Sequence, residues 1–324
     1  MRTLSARLLA VLIALLIAPA AAQAAKSGTS DQFSSHEKIL QWIDGYRLDP
    51  EPKRMPDAVK ALSRLGLFRD MDGAGVFVGF MAGVLNSNPQ HADAYVRQMF
   101  PMPPEDQSAI IKAIAYSGLP NWKDLMRRYV ERMPARKVMI ESFLQDKAKV
   151  LHDLPLDSGP APIDTLWGYY FATGSLEPVR RIISALKWSG DKADVNKLTI
   201  GSMAKWTLAN NASRDRELLY LLRDESILTS HPEPVREALK EIVVAAETFE
   251  TGKIRKEALA AIEELKRKGP QANNKWATAA QWGSTAIAVG CVVAGALGQV
   301  QIGIPCIVTG AMSTAATKLL NNSP

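Results

Sequence analysis

Apolar residues recur along most of this chain with a helical period. Trp122, Leu125, Met126, Tyr129, Val130 and Met133 fall at i, i+3, i+4, i+7, i+8 and i+11, which places them in one stripe along a helix. Val179, Ile182, Ile183 and Leu186 form a second stripe, and Val235, Leu239, Ile242, Val243 and Ala246 a third. These two follow Pro178 and Pro234, whose fixed φ and missing N–H suit a first helical turn. Pro56, Pro89, Pro104 and Pro120 punctuate the chain in the same way. No run of alternating apolar and polar residues with hairpin dipeptides occurs before residue 298, so the pattern predicts an all-α, multi-helix protein with almost no strand. Short loops make successive helices antiparallel neighbours, in an α-solenoid-like or irregular helical array. Glu177-Pro178-Val179-Arg180 recurs as Glu233-Pro234-Val235-Arg236 at an offset of 56, longer than the common helical repeats.

The N-terminus departs from this pattern. In residues 1–24, Arg2 and Arg7 frame a positive start, Leu8 to Ile17 form an apolar run, Pro19 breaks it, and Ala22-Gln23-Ala24 supplies small residues at both cleavage-determining positions. This reads as a secretory signal cut after Ala24, since the run is half of the ~20 residues that a membrane span needs. The mature chain is expected to be exported, periplasmic or secreted. Residues 25–54 read as a polar arm, KSGTSDQFSS from Lys26 to Ser35, and a first short helix. Residues 55–153 make helical block A. Residues 154–162, with three Pro and one Gly, read as a linker; 163–268 make helical block B, and 269–275 a polar linker.

Residues 276–320 carry the sharpest change of composition. From Trp276 to Thr317 there are 42 residues without a charge, rich in Ala, Gly, Val and Thr. Gly298, Gln299, Gln301 and Gly303 lie at the middle and Pro305 restarts a helix, which predicts an apolar helical hairpin. Ala286, Gly290, Ala294 and Gly298 form a small-residue packing ridge at i+4 spacing, while Trp276, Trp282 and Lys318 stand where interface anchors belong. Two readings stay open. One is membrane association; the other, favoured by the scarcity of Leu, Ile and Phe and by the basic Lys266, Arg267, Lys268 and Lys275 on the exported side, is burial within the protein or an oligomer. Cys291 and Cys306, the chain's two cysteines, flank the turn and are expected to form a disulfide in an oxidising compartment, which stabilises such a loop by roughly 3 kcal/mol. Two buried thiols are the alternative.

Composition narrows the partners. The 324 residues are 47% hydrophobic and 22% charged, the profile of a folded chain. The net charge of +6 is a small surplus among 39 basic and 33 acidic residues and gathers into no polybasic block, so nucleic acid is not an expected partner. An unidentified protein, membrane lipid or a second copy of the chain is.

Candidate chemistry is sparse. Ser-x-x-Lys occurs at Ser202, Ser35, Ser184 and Ser189 without the companion motifs of penicillin-binding enzymes, and Gly-x-Ser-x-Gly does not occur. His36, His91, His152 and His231 lack metal-ligand spacing, and Asp70-Met71-Asp72-Gly73 is a fragment of a calcium loop that reads as a turn. No cofactor or metal site is expected. Gly75, Gly79 and Gly83, at strict i+4, predict a groove in which another helix lies close. Trp167, Tyr169, Tyr170 and Phe171 surround one helix, so they divide between a core and a binding surface, with at least one partly exposed. His152, Asp153 and Asp157 are the nearest thing to an acid/base cluster.

Together these features point to an exported, non-catalytic helical interaction or scaffold protein of the cell envelope, docked to a membrane or to copies of itself through the hairpin. A secreted effector or pore-forming protein that inserts the hairpin into a target membrane is the alternative, and an exported hydrolase the third.

Overall fold

The computed structural model describes residues 32–71 and 73–267. Outside the described residues lie the expected signal, most of the polar arm, the 269–275 linker and the proposed hairpin with Trp276, Trp282, Ala286, Gly290, Cys291, Ala294, Gly298, Cys306 and Lys318.

The described residues are all-helical, with thirteen α-helices joined by short turns and no strand. In chain order they are α1 (His36–Gly45), α2 (Met55–Arg64), α3 (Gly75–Ser87), α4 (Ala92–Gln98), α5 (Gln107–Tyr116), α6 (Trp122–Tyr129), α7 (Lys137–Leu144), α8 (Ala161–Thr173), α9 (Glu177–Ser184), α10 (Val195–Ala212), α11 (Arg216–Ile227), α12 (Glu233–Glu247) and α13 (Thr251–Arg267).

Local chemistry explains the boundaries. Pro56, Pro162, Pro178 and Pro234 all sit in first turns, where no N–H partner is lost. The carboxylate of Asp194 accepts the N–H groups of Asn196 and Lys197 to cap α10, and that of Asp215 accepts those of Glu217 and Leu218 to cap α11. The recurring Glu-Pro-Val-Arg occupies the same place twice, the opening turn of α9 and of α12. The stripes face inward: Leu125, Met126 and Tyr129 of α6, Val179, Ile182 and Ile183 of α9, and Val235, Leu239 and Ile242 of α12 are buried. Each such aliphatic side chain is worth about 2 kcal/mol against exposure.

Helices α3 and α8 are buried on nearly every side, the mark of elements with neighbours all round, and α8 does so while carrying the polar Asp164 and Thr165. In α3 every residue from Gly75 to Leu85 is buried, and in α8 Ile163 to Gly168 and Tyr170 to Ala172 are buried. They run parallel and touch backbone to backbone. A Cβ added at Gly79 would stand 1.9 Å from the carbonyl oxygen of Thr165, one at Gly168 2.0 Å from that of Val76, and one at Gly75 2.7 Å from that of Ala161. The close approach expected of Gly75, Gly79 and Gly83 is thus made to α8, with Gly168 supplying the reciprocal gap.

This pair crosses the boundary between the two blocks. One buried cluster runs from Phe33 to Ile254 and includes residues of both, and the α3–α8 contact joins elements far apart in the chain. The segment 154–162 changes the chain's direction without separating two cores. Leu151 and Leu156 are buried, and the Arg181 guanidinium donates to the carbonyls of Leu151 and Leu154. Helix α1 is fastened to α3 by edge-on rings: Trp42 and Tyr46 lie 5.1 and 4.8 Å from Phe80, centroid to centroid.

Candidate functional site: an aromatic recess

Where the turn after α5 meets the end of α8, the surface opens into a recess of about 380 Å³. It is lined by Tyr116, Trp122 and Tyr169, by the apolar Leu119, Pro120, Val150 and Leu151, and by Gly118, His152, Ser175 and Glu177. These residues come from four separate places in the chain, and two left-handed glycines bring them together.

The first wall is the α5–α6 turn. Gly118 adopts φ +71°, a conformation that a side chain disfavours, and reverses the chain after Ser117. The Ser117 hydroxyl donates to the carbonyl of Ile114 and accepts the N–H of Leu119, while Asn86 at the end of α3 donates to the Ser117 carbonyl. Trp122 then opens α6, with its ring partly exposed. The opposite wall is the end of α8. Gly174, at φ +69°, terminates this helix in a left-handed cap whose N–H returns to the carbonyl of Tyr170. The Thr173 hydroxyl donates to the carbonyl of Tyr169 and accepts the N–H of Ser175, which aligns the entry to α9 at Glu177. A turn at Leu151–Asp153 closes the third side.

Burial pushes the hydroxyls of Tyr116 and Tyr169 up to about 12, with the negative charge of Glu177 adding to the effect at Tyr169. Both phenols are therefore neutral at physiological pH. The recess presents electron-rich rings and the carboxyl group of Glu177.

Of the four aromatics grouped by sequence, only Tyr169 lines this recess. Trp167, Tyr170 and Phe171 are buried. Trp167 donates to Thr207 at 3.0 Å, and its ring stacks on Phe171 at 5.9 Å. The Tyr170 hydroxyl donates to Asp215, which also pairs with Arg47, and the Arg47 guanidinium lies 5.4 Å from the Tyr170 ring centroid. Tyr116, Trp122 and Glu177 escaped sequence grouping. The available signal was Ser117-Gly118-Leu119-Pro120, a turn flanked by two aromatic residues.

The other candidates are dispersed. His152 and Asp153 are exposed on the Leu151–Asp153 turn, and Asp157 sits on the next one, where its carbonyl accepts from Asn196; no hydrogen bond or ion pair joins the three among the described residues. Ser202 is buried, and Lys205 pairs with Glu241. His36 packs on Phe77 and His91 beside Tyr95, while His231 pairs with Glu225 at 2.7 Å. Glu225 also binds Arg180 at 2.9 Å, and although burial raises its carboxyl, the hydrogen bonds from His231 and Arg180 hold it below its ordinary range. Among the described residues no group of His, Cys, Asp and Glu could hold a metal ion, and no helix is long and apolar enough to cross a membrane.

Compared with known proteins, the chain matches no family model, no curated protein and no solved structure.

Proposed function

We propose that this is an exported helical interaction protein of the cell envelope that recognises its partner through the aromatic recess and is docked, to a membrane or to copies of itself, through residues 276–320. The observation that carries the reading is the construction of the recess. Three aromatic residues converge from different helices, and the one on α8 is held by a helix in backbone contact with α3. Such rings give a recognition surface large contact area at small entropic cost. The signal at residues 1–24 supports export, and the uncharged run from Trp276 to Thr317 supports docking.

Fractionation of cells producing the full chain tests this. The protein is expected in the exported envelope fraction, released by detergent and not by carbonate if lipid is the anchor, or as an oligomer in both if the segment self-associates. Deletion of 276–320 is expected to release a soluble monomer. An unchanged distribution after deletion contradicts the docking role. Dye release from liposomes by the purified mature chain would instead establish the pore-forming alternative, because a scaffold leaves vesicles intact.

A further inference from the structure

Among the described residues, Glu177 is the one carboxylate that lines the recess, and neither Lys nor Arg lines it. Tyr116, Trp122 and Tyr169 line the same recess, and the faces of aromatic rings are regions of negative potential. The chain already uses one of these rings as a cation platform. The Lys123 ammonium lies 5.6 Å from the Trp122 ring centroid, where Asp146 holds it at 2.7 Å, and Lys123 is not among the residues lining the recess. Rings plus one carboxylate in a concave site are the elements by which proteins select quaternary ammonium groups over neutral groups of the same shape.

We propose that the recess binds an organic ammonium cation, a quaternary or tertiary amine whose alkyl groups fill the space between Tyr116, Trp122 and Tyr169 while Glu177 neutralises its charge. The volume of about 380 Å³ admits a small ammonium head or the end of a methylated side chain. Overall charge does nothing to gather such a ligand, because the whole chain carries a net +6, so selectivity resides in the lining. The proposal rests on the recess being a recognition surface, and the test separates the two ideas.

Choline and its neutral isostere 3,3-dimethylbutan-1-ol are titrated into the purified mature chain and followed by saturation-transfer NMR and calorimetry. Choline is expected to bind about tenfold more tightly than the alcohol, since cation–π contacts with more than one ring and a carboxylate together supply about the 1.4 kcal/mol that a tenfold ratio needs. Glu177→Gln is expected to weaken choline about threefold to tenfold and leave the alcohol unchanged. Glu177 is exposed, so the fold does not depend on it, and the isostere comparison requires no variant. Trp122→Leu is expected to weaken both ligands. Equal or tighter binding of the alcohol at the same site overturns the cation assignment and leaves the recognition surface standing. Absence of saturable binding of either ligand up to about 0.1 M overturns the assignment as well, as does choline binding that Trp122→Leu and Glu177→Gln leave unchanged.

Discussion

The α3–α8 crossing and the α11–α12 pair are both helix contacts, and opposite means hold them. At the first, glycines remove the side chains, so carbonyls and Cα atoms of the two helices meet directly. At the second, side chains fill the contact: Leu218, Leu222, Leu239 and Ile242 are buried in the common core, and over them Arg223 of α11 pairs with Glu247 of α12 at 2.7 Å, while Glu225 binds His231 in the connecting turn. The outward surface there is loosely finished, with Ile227 and Phe249 about three-quarters exposed, at 74% and 75%. A contact built from missing atoms has one geometry and tolerates nothing added. Flexible charged side chains tolerate much, and their loss is cheap.

The largest effect should follow from Gly79→Ala. The new methyl has no direction of escape from the Thr165 carbonyl, so the helices must separate at a cost of about 4 kcal/mol or more, a large part of a typical total stability. Thermal unfolding is expected to fall by roughly 10 °C or to lose its cooperativity. Gly252→Ala is the control within the same residue type, because an added Cβ there meets nothing within 4 Å; a neutral or slightly stabilising change is expected, up to about 1 kcal/mol.

Next in size is Asp215→Ala. It removes the cap of α11 and leaves Arg47 and the buried Tyr170 hydroxyl without their shared acceptor. About 2–3 kcal/mol is expected in urea denaturation, with Asp215→Asn costing less because it still caps.

Smaller and pH-dependent is the contribution of His36. Its Nε2 is buried without a hydrogen-bond partner among the described residues, and burial lowers its pKa, while Glu37 opposes weakly. Its folded pKa lies below the ordinary 6.5, so the unfolded chain binds the proton first. The stability this group supplies is present above pH 6.5 and is lost as pH falls through the folded value. His36→Phe is expected to flatten the decline below pH 6.5 in a series of denaturation curves. An unchanged slope would show that the acid sensitivity arises elsewhere. The smallest effect belongs to Arg223→Ala, whose half-exposed pair is worth under about 1 kcal/mol.

The same contrast explains what the sequence discloses. Stripes such as Val179, Ile182 and Ile183 are local, and their spacing alone announces a helix and its buried face. The ridge of Gly75, Gly79 and Gly83 announces a close partner, yet its identity depends on a segment far along the chain. There Gly168 lies inside Trp167-Gly168-Tyr169-Tyr170, where the bulky neighbours conceal it. The segment 154–162 is silent for a related reason: its prolines and glycine report a bend in the backbone and carry no information about whether the helices on either side share a core. The recess is the least legible part. Tyr116, Trp122, Tyr169 and Glu177 meet only because two left-handed turns and the α3–α8 contact bring distant helix ends together, and no local period records that.

Hydrogen exchange followed by mass spectrometry tests the shared core most directly. Peptides covering α3 and α8 are expected to be among the slowest in the chain, to exchange at the same opening free energy, and to lose protection together under increasing denaturant. Block A opening at one denaturant concentration with α3, while α8 stays protected with block B, would contradict the shared core and show two independent helical units.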